Sequence, residues 1–262
     1  MDFTVQRNDI AEMPVNVIVL PANSWLREGS GASRAIYEKA GRIELRTECG
    51  VQRREARKRK LKLQPGVSIP THAYELPSSV ILHTIVPKWV DGEHNEYDQL
   101  CMAYLSALSL TDQMGFESLA LPLLASGNNG FDMDVAIEVA IKSIEEYQPF
   151  NKLAQVILVT FDSYATQKMK NTGYEVEEYI DELYVLDQGM RQHKMVPFWN
   201  AAQKFAEGLL HHAINDAFDW LCDPDSQRFI YENAKQIMRQ VVVSEAAKAM
   251  KLKDGQAGLL EA

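Results

Sequence analysis

Two short loops concentrate the residues whose types and spacing could do chemistry. The first reads Pro21-Ala22-Asn23-Ser24-Trp25-Leu26-Arg27-Glu28-Gly29-Ser30-Gly31-Ala32-Ser33 and leads into a helical run with Ile36, Tyr37 and Ala40. The second reads Ala125-Ser126-Gly127-Asn128-Asn129-Gly130-Phe131 and precedes a helical run from Val135 to Tyr147. Each sits between a strand-like segment and a helix start, where unpartnered N–H groups and the positive end of the helix dipole favour an anion. Glycine lets the backbone approach such a ligand closely. Two such loops side by side would hold the two halves of a diphosphate with amide donors alone. Read singly, either loop is more commonly just a tight turn.

Other chemistry is sparse. His83 lies in a strand-like run and reads as a structural histidine. Three cysteines, Cys49, Cys101 and Cys222, stand far apart in no paired pattern, which implies neither a disulfide framework nor a zinc cluster and fits a reducing cytoplasm. No metal-ligand cluster is expected. Arg53, Arg54, Arg57, Lys58, Arg59, Lys60 and Lys62 put seven cations into ten residues. With no aromatic residues among them they read as a solvated helix face rather than a single-strand binder.

The elements that must position these loops alternate. Strand-like runs cover Phe3 to Gln6, Val15 to Pro21, Val67 to Ile69, Val80 to Val86, Ser118 to Leu124 and Val156 to Phe161. Helical stretches lie between them: Ser33 to Ala40, the basic segment near Arg53 to Lys62, Glu96 to Met114, Asp134 to Tyr147 and Tyr164 to Asn171. This order predicts an α/β protein with a largely parallel or mixed sheet covered on both faces, a three-layer sandwich with ligand loops at the carboxyl ends of strands.

After about Gly173 strand signals stop. Trp199, Phe205, Leu209, Ile214 and Phe218 mark one apolar stripe, and Ile230, Ile237, Val241 and Ala246 a second, so 174–262 reads as a helical extension packed on the core or on another subunit. A homodimer through these helices is one outcome. The 262 residues, 46% hydrophobic and 24% charged, describe a globular chain. Its net charge of −9 argues against general nucleic-acid affinity. Without a signal pattern or a membrane-length apolar run, the expected location is the cytoplasm.

Several segments, in order, resemble the macrodomain family. Asn8-Asp9-Ile10 is similar to its Gly-Asp-Ile segment, and Ala22-Asn23-Ser24 to the end of its Asn-Ala-Ala-Asn strand. Gly66 to Thr71, Tyr74 to Pro77 and Ile81-Leu82-His83-Thr84-Ile85-Val86-Pro87 resemble its middle segments. Leu121 to Phe131 resembles its second glycine loop, and Phe161-Asp162 its closing Phe-Asp pair. The resemblance covers roughly the first two-thirds, and it implies a three-layer α/β/α macrodomain with a mixed central sheet over 1–173.

That resemblance implies ADP-ribose, or an ADP-ribosylated protein, as ligand, with no cofactor and no metal. Asp9 would accept from the adenine amino group and the Ile10 amide would donate to a ring nitrogen, while Phe161 stacks on the base. Gly29, Ser30, Gly31, Ala32 and Ser33, facing Ser126, Gly127, Asn128, Asn129, Gly130 and Phe131, would hold the diphosphate and the distal ribose. Asn23 would bond that ribose and, in a hydrolytic reading, carry the catalytic role. The sequence departs from the hydrolytic branch at Leu20, where a second asparagine is usual, and at Ser33, where an aspartate is usual. Neutral serine cannot take a proton from an attacking water on its own. Glu28, Asp132 or Asp134 would have to supply a displaced carboxylate. Binding without turnover is therefore the first expectation. ADP-ribosyl hydrolysis or O-acetyl-ADP-ribose deacetylation is the alternative, and a helical extension acting as a protein-interaction element is the third.

Overall fold

A computed structural model describes residues 1–191. One compact unit comprises Met1–Phe161 and Ala165–Ile180; the described part of a second comprises Asp162–Tyr164 and 181–191. The first unit contains strands β1 (Asp2–Arg7), β2 (Val17–Ala22), β3 (Ser68–His72), β4 (Val80–Ile85), β5 (Ser118–Pro122), β6 (Gln155–Thr160) and β7 (Val176–Glu178). Between them run helices α1 (Ala32–Ala40), α2 (Arg42–Lys58), α3 (Glu96–Gln113), α4 (Met133–Glu145) and α5 (Ser163–Asn171), and α6 (Glu182–Arg191) lies in the second unit. The two apolar stripes of the expected extension lie outside the described residues.

The seven strands form one sheet in the order β3-β4-β2-β5-β6-β1-β7, every neighbouring pair parallel except β3 with β4. Strand side chains alternate faces, so β2 sends Val17 and Val19 to one core and Ile18 and Leu20 to the other. The first core adds Leu100, Tyr104 and Leu108 of α3 and Ile137 and Ile144 of α4. Ile36 and Tyr37 of α1 and Leu45 and Cys49 of α2 complete the second. Two buried faces explain why the strands read as continuous β-branched runs. At the margins, β3 carries Pro70 and β7 is three residues long with exposed Glu177 and Glu178.

Three expectations need correction. The basic segment is the end of a longer helix: α2 starts at Arg42 and stops at Lys58, with Lys60 beyond it in the left-handed region at φ 57°. Its first half was hidden because only Leu45, Cys49 and Ala56 of its 17 residues are buried. β3 extends to His72, because an edge strand tolerates Pro70. Strands also continue past Gly173: β7 pairs with β1 at Val5↔Val176, and the first unit reaches Ile180.

Candidate functional site

Because all strands but β3 run in one direction, Asp9, Asn23, the segment after Ile85, the 123–131 loop and Phe161 all leave the sheet at its carboxyl edge. The chain departs from β2 toward the β4 side and from β5 toward β6, so the β2/β5 boundary is the switch point at which open α/β sheets bind ligands. Pairing there covers only Val17↔Leu119 and Ile18↔Ala120, although β2 continues to Ala22 and β5 to Pro122. The two strands part toward the site.

The first loop is stitched by side chains. The Asn23 amide nitrogen donates to the Arg27 carbonyl at 2.8 Å, and its oxygen accepts from the N–H groups of Trp25 at 3.0 Å and Arg27 at 3.2 Å. Buried Tyr37 donates its hydroxyl to the Leu26 carbonyl at 3.2 Å, holding Leu26 at φ 46°. Ser33, buried in the first turn of α1, accepts from the Gly29 N–H at 2.9 Å. Gly31 sits at φ 58°, ψ −129°, where a side-chain-bearing residue is strained.

The second loop is stitched by backbone. Gly130 N–H donates to the Gly127 carbonyl at 3.0 Å and Phe131 N–H to the Ala125 carbonyl at 3.4 Å. Leu124 N–H, at the loop's entrance, donates to the hydroxyl of fully buried Tyr104 at 2.8 Å. Asp132 caps α4 by accepting from the N–H groups of Asp134 at 2.9 Å and Val135 at 3.3 Å. Trp89, in the segment after β4, donates its backbone N–H to the Asn129 carbonyl at 2.8 Å.

The two loops meet: the Asn128 amide nitrogen lies 2.5 Å from the Ser30 hydroxyl oxygen, to which it donates. Among the described residues, no protein acceptor is found for the N–H groups of Ser30, Gly31, Ala32 and Ser33, nor for those of Ser126, Gly127, Asn128 and Asn129. The donors of Gly29, Gly130 and Phe131 are engaged, so the free set is narrower than the sequence suggested. The Phe131 side chain also turns inward, packing edge-on against Trp89 and Tyr97 at 5.2 and 6.4 Å between ring centroids.

At the other end, Asn8 N–H donates to the Thr160 carbonyl at 3.0 Å, so Asp9 and Phe161 follow the ends of neighbouring strands. Asp9, buried, caps a short 3-10 turn at Ile10–Glu12 by accepting from the Ala11 N–H at 3.0 Å. The cap role and a ligand role share that side chain. Ile10 packs its side chain in the core, and its N–H has no protein acceptor among the described residues. Phe161 is half-buried, and its carbonyl accepts from Nε of Arg7 at 3.4 Å. Arg7 is itself buried and ion-paired to Glu178 of β7 at 2.9 Å.

The three carboxylates near the loops are committed. Glu28 pairs with Arg42 at 2.9 Å and Arg46 at 2.6 Å, Asp134 with Lys168 at 2.7 Å, and Asp132 is the cap. His83 is structural: wholly buried, it shares a hydrogen bond with Thr71 at 2.9 Å, and burial pulls its pKa down to about 3, so it stays neutral. Asp91, His94 and Glu96, distant from any sequence motif, gather ligand-type atoms within 4.8 Å of one another. Glu96 is spent on the backbone, accepting from the N–H groups of Val90, Asp91, Gly92 and His94. Burial pushes its carboxyl up, but those N–H groups outweigh it and bring it down to about 2. The trio therefore organises the segment that carries Trp89. Tyr104, Trp89 and Glu96 had no signal in the sequence, because each acts on the site across tertiary contacts.

Two amide-rich loops that meet at the strand ends of a mostly parallel sheet define an α/β module with its candidate ligand site at the switch point. The Macro domain profile matches residues 19–140. An O-acetyl-ADP-ribose deacetylase of Escherichia fergusonii is 36% identical over 159 residues, covering 60% of this chain and 87% of its own length. A macro domain-containing protein of Xanthomonas axonopodis pv. citri is 32% identical over 184 residues, 68% of this chain and 98% of its own. The Oceanobacillus iheyensis macrodomain solved with ADP superposes with a TM-score of 0.59 at 28% identity, over 64% of this chain and 87% of that one. The chain belongs to the Macro domain family. Among the described residues no helix is long and apolar enough to cross a membrane.

Proposed function

We propose that this chain binds ADP-ribose, free or attached to a protein, with the diphosphate seated between the loops after β2 and β5. The observation that carries this reading is the contact from Asn128 to Ser30, which joins two stretches whose amide hydrogens have no protein acceptor among the described residues. Backbone donors suit a diphosphate because they stabilise it without needing a cation. The Ile10 N–H and the Asp9 carboxylate would then read the adenine edge, with Phe161 beside the base. Asn23 would face the distal ribose, using the amide hydrogen that its bond to Arg27 leaves over. The relatives support the ligand class, since a variant of the Oceanobacillus iheyensis macrodomain, 27% identical with a TM-score of 0.58, was solved with ADPR. Calorimetry with ADP-ribose tests the proposal; no heat at about millimolar ligand, a bare 4 kcal/mol of affinity, would defeat it.

Turnover is the second reading, favoured by the 36% identity to a protein named O-acetyl-ADP-ribose deacetylase. Leu20 and Ser33 weigh against it. Ser33 accepts from the backbone, and Glu28, Asp132 and Asp134 already hold partners, so the ligand's own phosphate would have to hold the attacking water and take its proton. Release of acetate from O-acetyl-ADP-ribose decides between the readings. An Asn23→Ala variant with an undiminished rate would exclude that residue from the chemistry.

A further inference from the structure

Two features outside the cleft adjoin it. Trp25, at the tip of the first loop, is 61% exposed, and the Arg27 guanidinium stands 5.6 Å from its ring centroid. Arg53 of α2 donates from Nη1 to the Trp25 carbonyl at 3.2 Å, which fastens the basic half of that helix to the loop. Beyond half-buried Arg53 come Arg54, Arg57, Lys58, Arg59, Lys60 and Lys62, all exposed, in a chain of net charge −9. Lys58 pairs with Glu55; none of the other five beyond Arg53 makes an ion pair with a described residue.

Helix-end electrostatics explain only part of this strip. The carboxyl end of a helix favours cations within its last turn, which here holds Arg57 and Lys58. Arg53 and Arg54 precede that turn, and Arg59, Lys60 and Lys62 follow the helix. Four of the seven are arginines, whose planar forks suit carboxylates.

We infer that the basic end of α2, together with Trp25, docks an acidic segment of the polypeptide that carries the ADP-ribose. The inference rests on the ADP-ribose reading above, because it needs the modified side chain to emerge beside the first loop. From Arg53 to Lys58 the helix rises about 7.5 Å, the reach of two or three extended residues. Such a strip fits a short acidic stretch rather than a long phosphate backbone. A single-strand nucleic-acid site would also offer a succession of stacking rings, and residues 42–63 contain no aromatic at all.

The test is calorimetry on the full chain with free ADP-ribose and with peptides bearing ADP-ribose on a central serine, flanked by glutamates, by serines or by lysines. Acidic flanks are expected to tighten binding about tenfold over neutral ones at low salt, and lysine flanks to weaken it. The gain should shrink in high salt. It should vanish in an Arg54→Glu, Arg57→Glu, Arg59→Glu variant whose affinity for free ADP-ribose is unchanged. Equal affinity for acidic and neutral peptides in the unsubstituted chain, beside normal ADP-ribose binding, overturns the inference and leaves the ligand reading intact. Failure of free ADP-ribose to bind sinks the ligand reading itself. An unmodified single-stranded RNA that binds more tightly than the acidic peptide, and is lost in the charge-reversed variant, also overturns the inference by making the strip a nucleic-acid site.

Discussion

The loops after β2 and β5 have the same plan, strand then glycine loop then helix, and each is anchored by a fully buried tyrosine. The anchors have opposite polarity. Tyr37 donates its hydroxyl to the Leu26 carbonyl, whereas Tyr104 accepts from the Leu124 N–H. Beyond the anchors the first loop is shaped by side chains, Asn23, Glu28 and Ser33, and the second by its own backbone and the Asp132 cap. One concavity can thus be built from two unlike sets of bonds. The first wall is the more open to retuning by substitution, because its shape is written in side chains.

The comparison can be broken most forcefully at the glycines. Gly31→Val forces a branched side chain into φ 58°, ψ −129°, and should cost about 2 kcal/mol in thermal denaturation. If the same strain displaces the amide cradle, ADP-ribose binding weakens roughly thirtyfold by calorimetry. Gly127→Ala is the matched control: its φ is ordinary and an added Cβ meets nothing within 4 Å, so stability should move by under about 0.5 kcal/mol. Equal losses at the two positions would erase the distinction.

The anchors sharpen it. Tyr104→Phe strands a buried N–H and should cost about 2 kcal/mol in denaturant unfolding. Tyr37→Phe leaves a carbonyl, a group that tolerates under-bonding better, and should cost about 1 kcal/mol. The reverse order would contradict the assigned polarities.

The last effect is one of pH, present in full near neutrality and lost only in acid. Glu96 is held at about 2 in the folded chain against an ordinary 4.5, so its contribution is complete above pH 4.5 and is lost as pH falls through about 2. Acid unfolding monitored by Trp fluorescence should therefore shift to higher pH in Glu96→Gln above the range in which the carboxyl protonates. An unshifted acid transition would mean that the segment after β4 does not depend on this carboxylate.

Much of this architecture was legible because both faces of the sheet are buried, which writes β2, β4, β5 and β6 as runs of apolar residues. What escaped was marked too faintly. β7 buries one residue of three, and the first half of α2 shows the core only Leu45 and Cys49. At the site, the order of the motifs located both loops and the Asp9 and Phe161 positions. Which amides remain free was not readable, since it depends on Gly29 meeting Ser33 and Gly130 meeting Gly127. Nor was the inward turn of Phe131, which follows from Trp89 and Tyr97, residues brought from 34 or more positions away.

The margins of the sheet bear on how such a protein behaves when crowded. A strand from a neighbouring molecule that tried to lengthen the sheet would meet Pro70, with no N–H to offer, on one side. On the other it would meet three residues, two of them exposed glutamates, held to the sheet by the buried Arg7. Copies of this chain are thereby discouraged from zipping edge to edge into fibres.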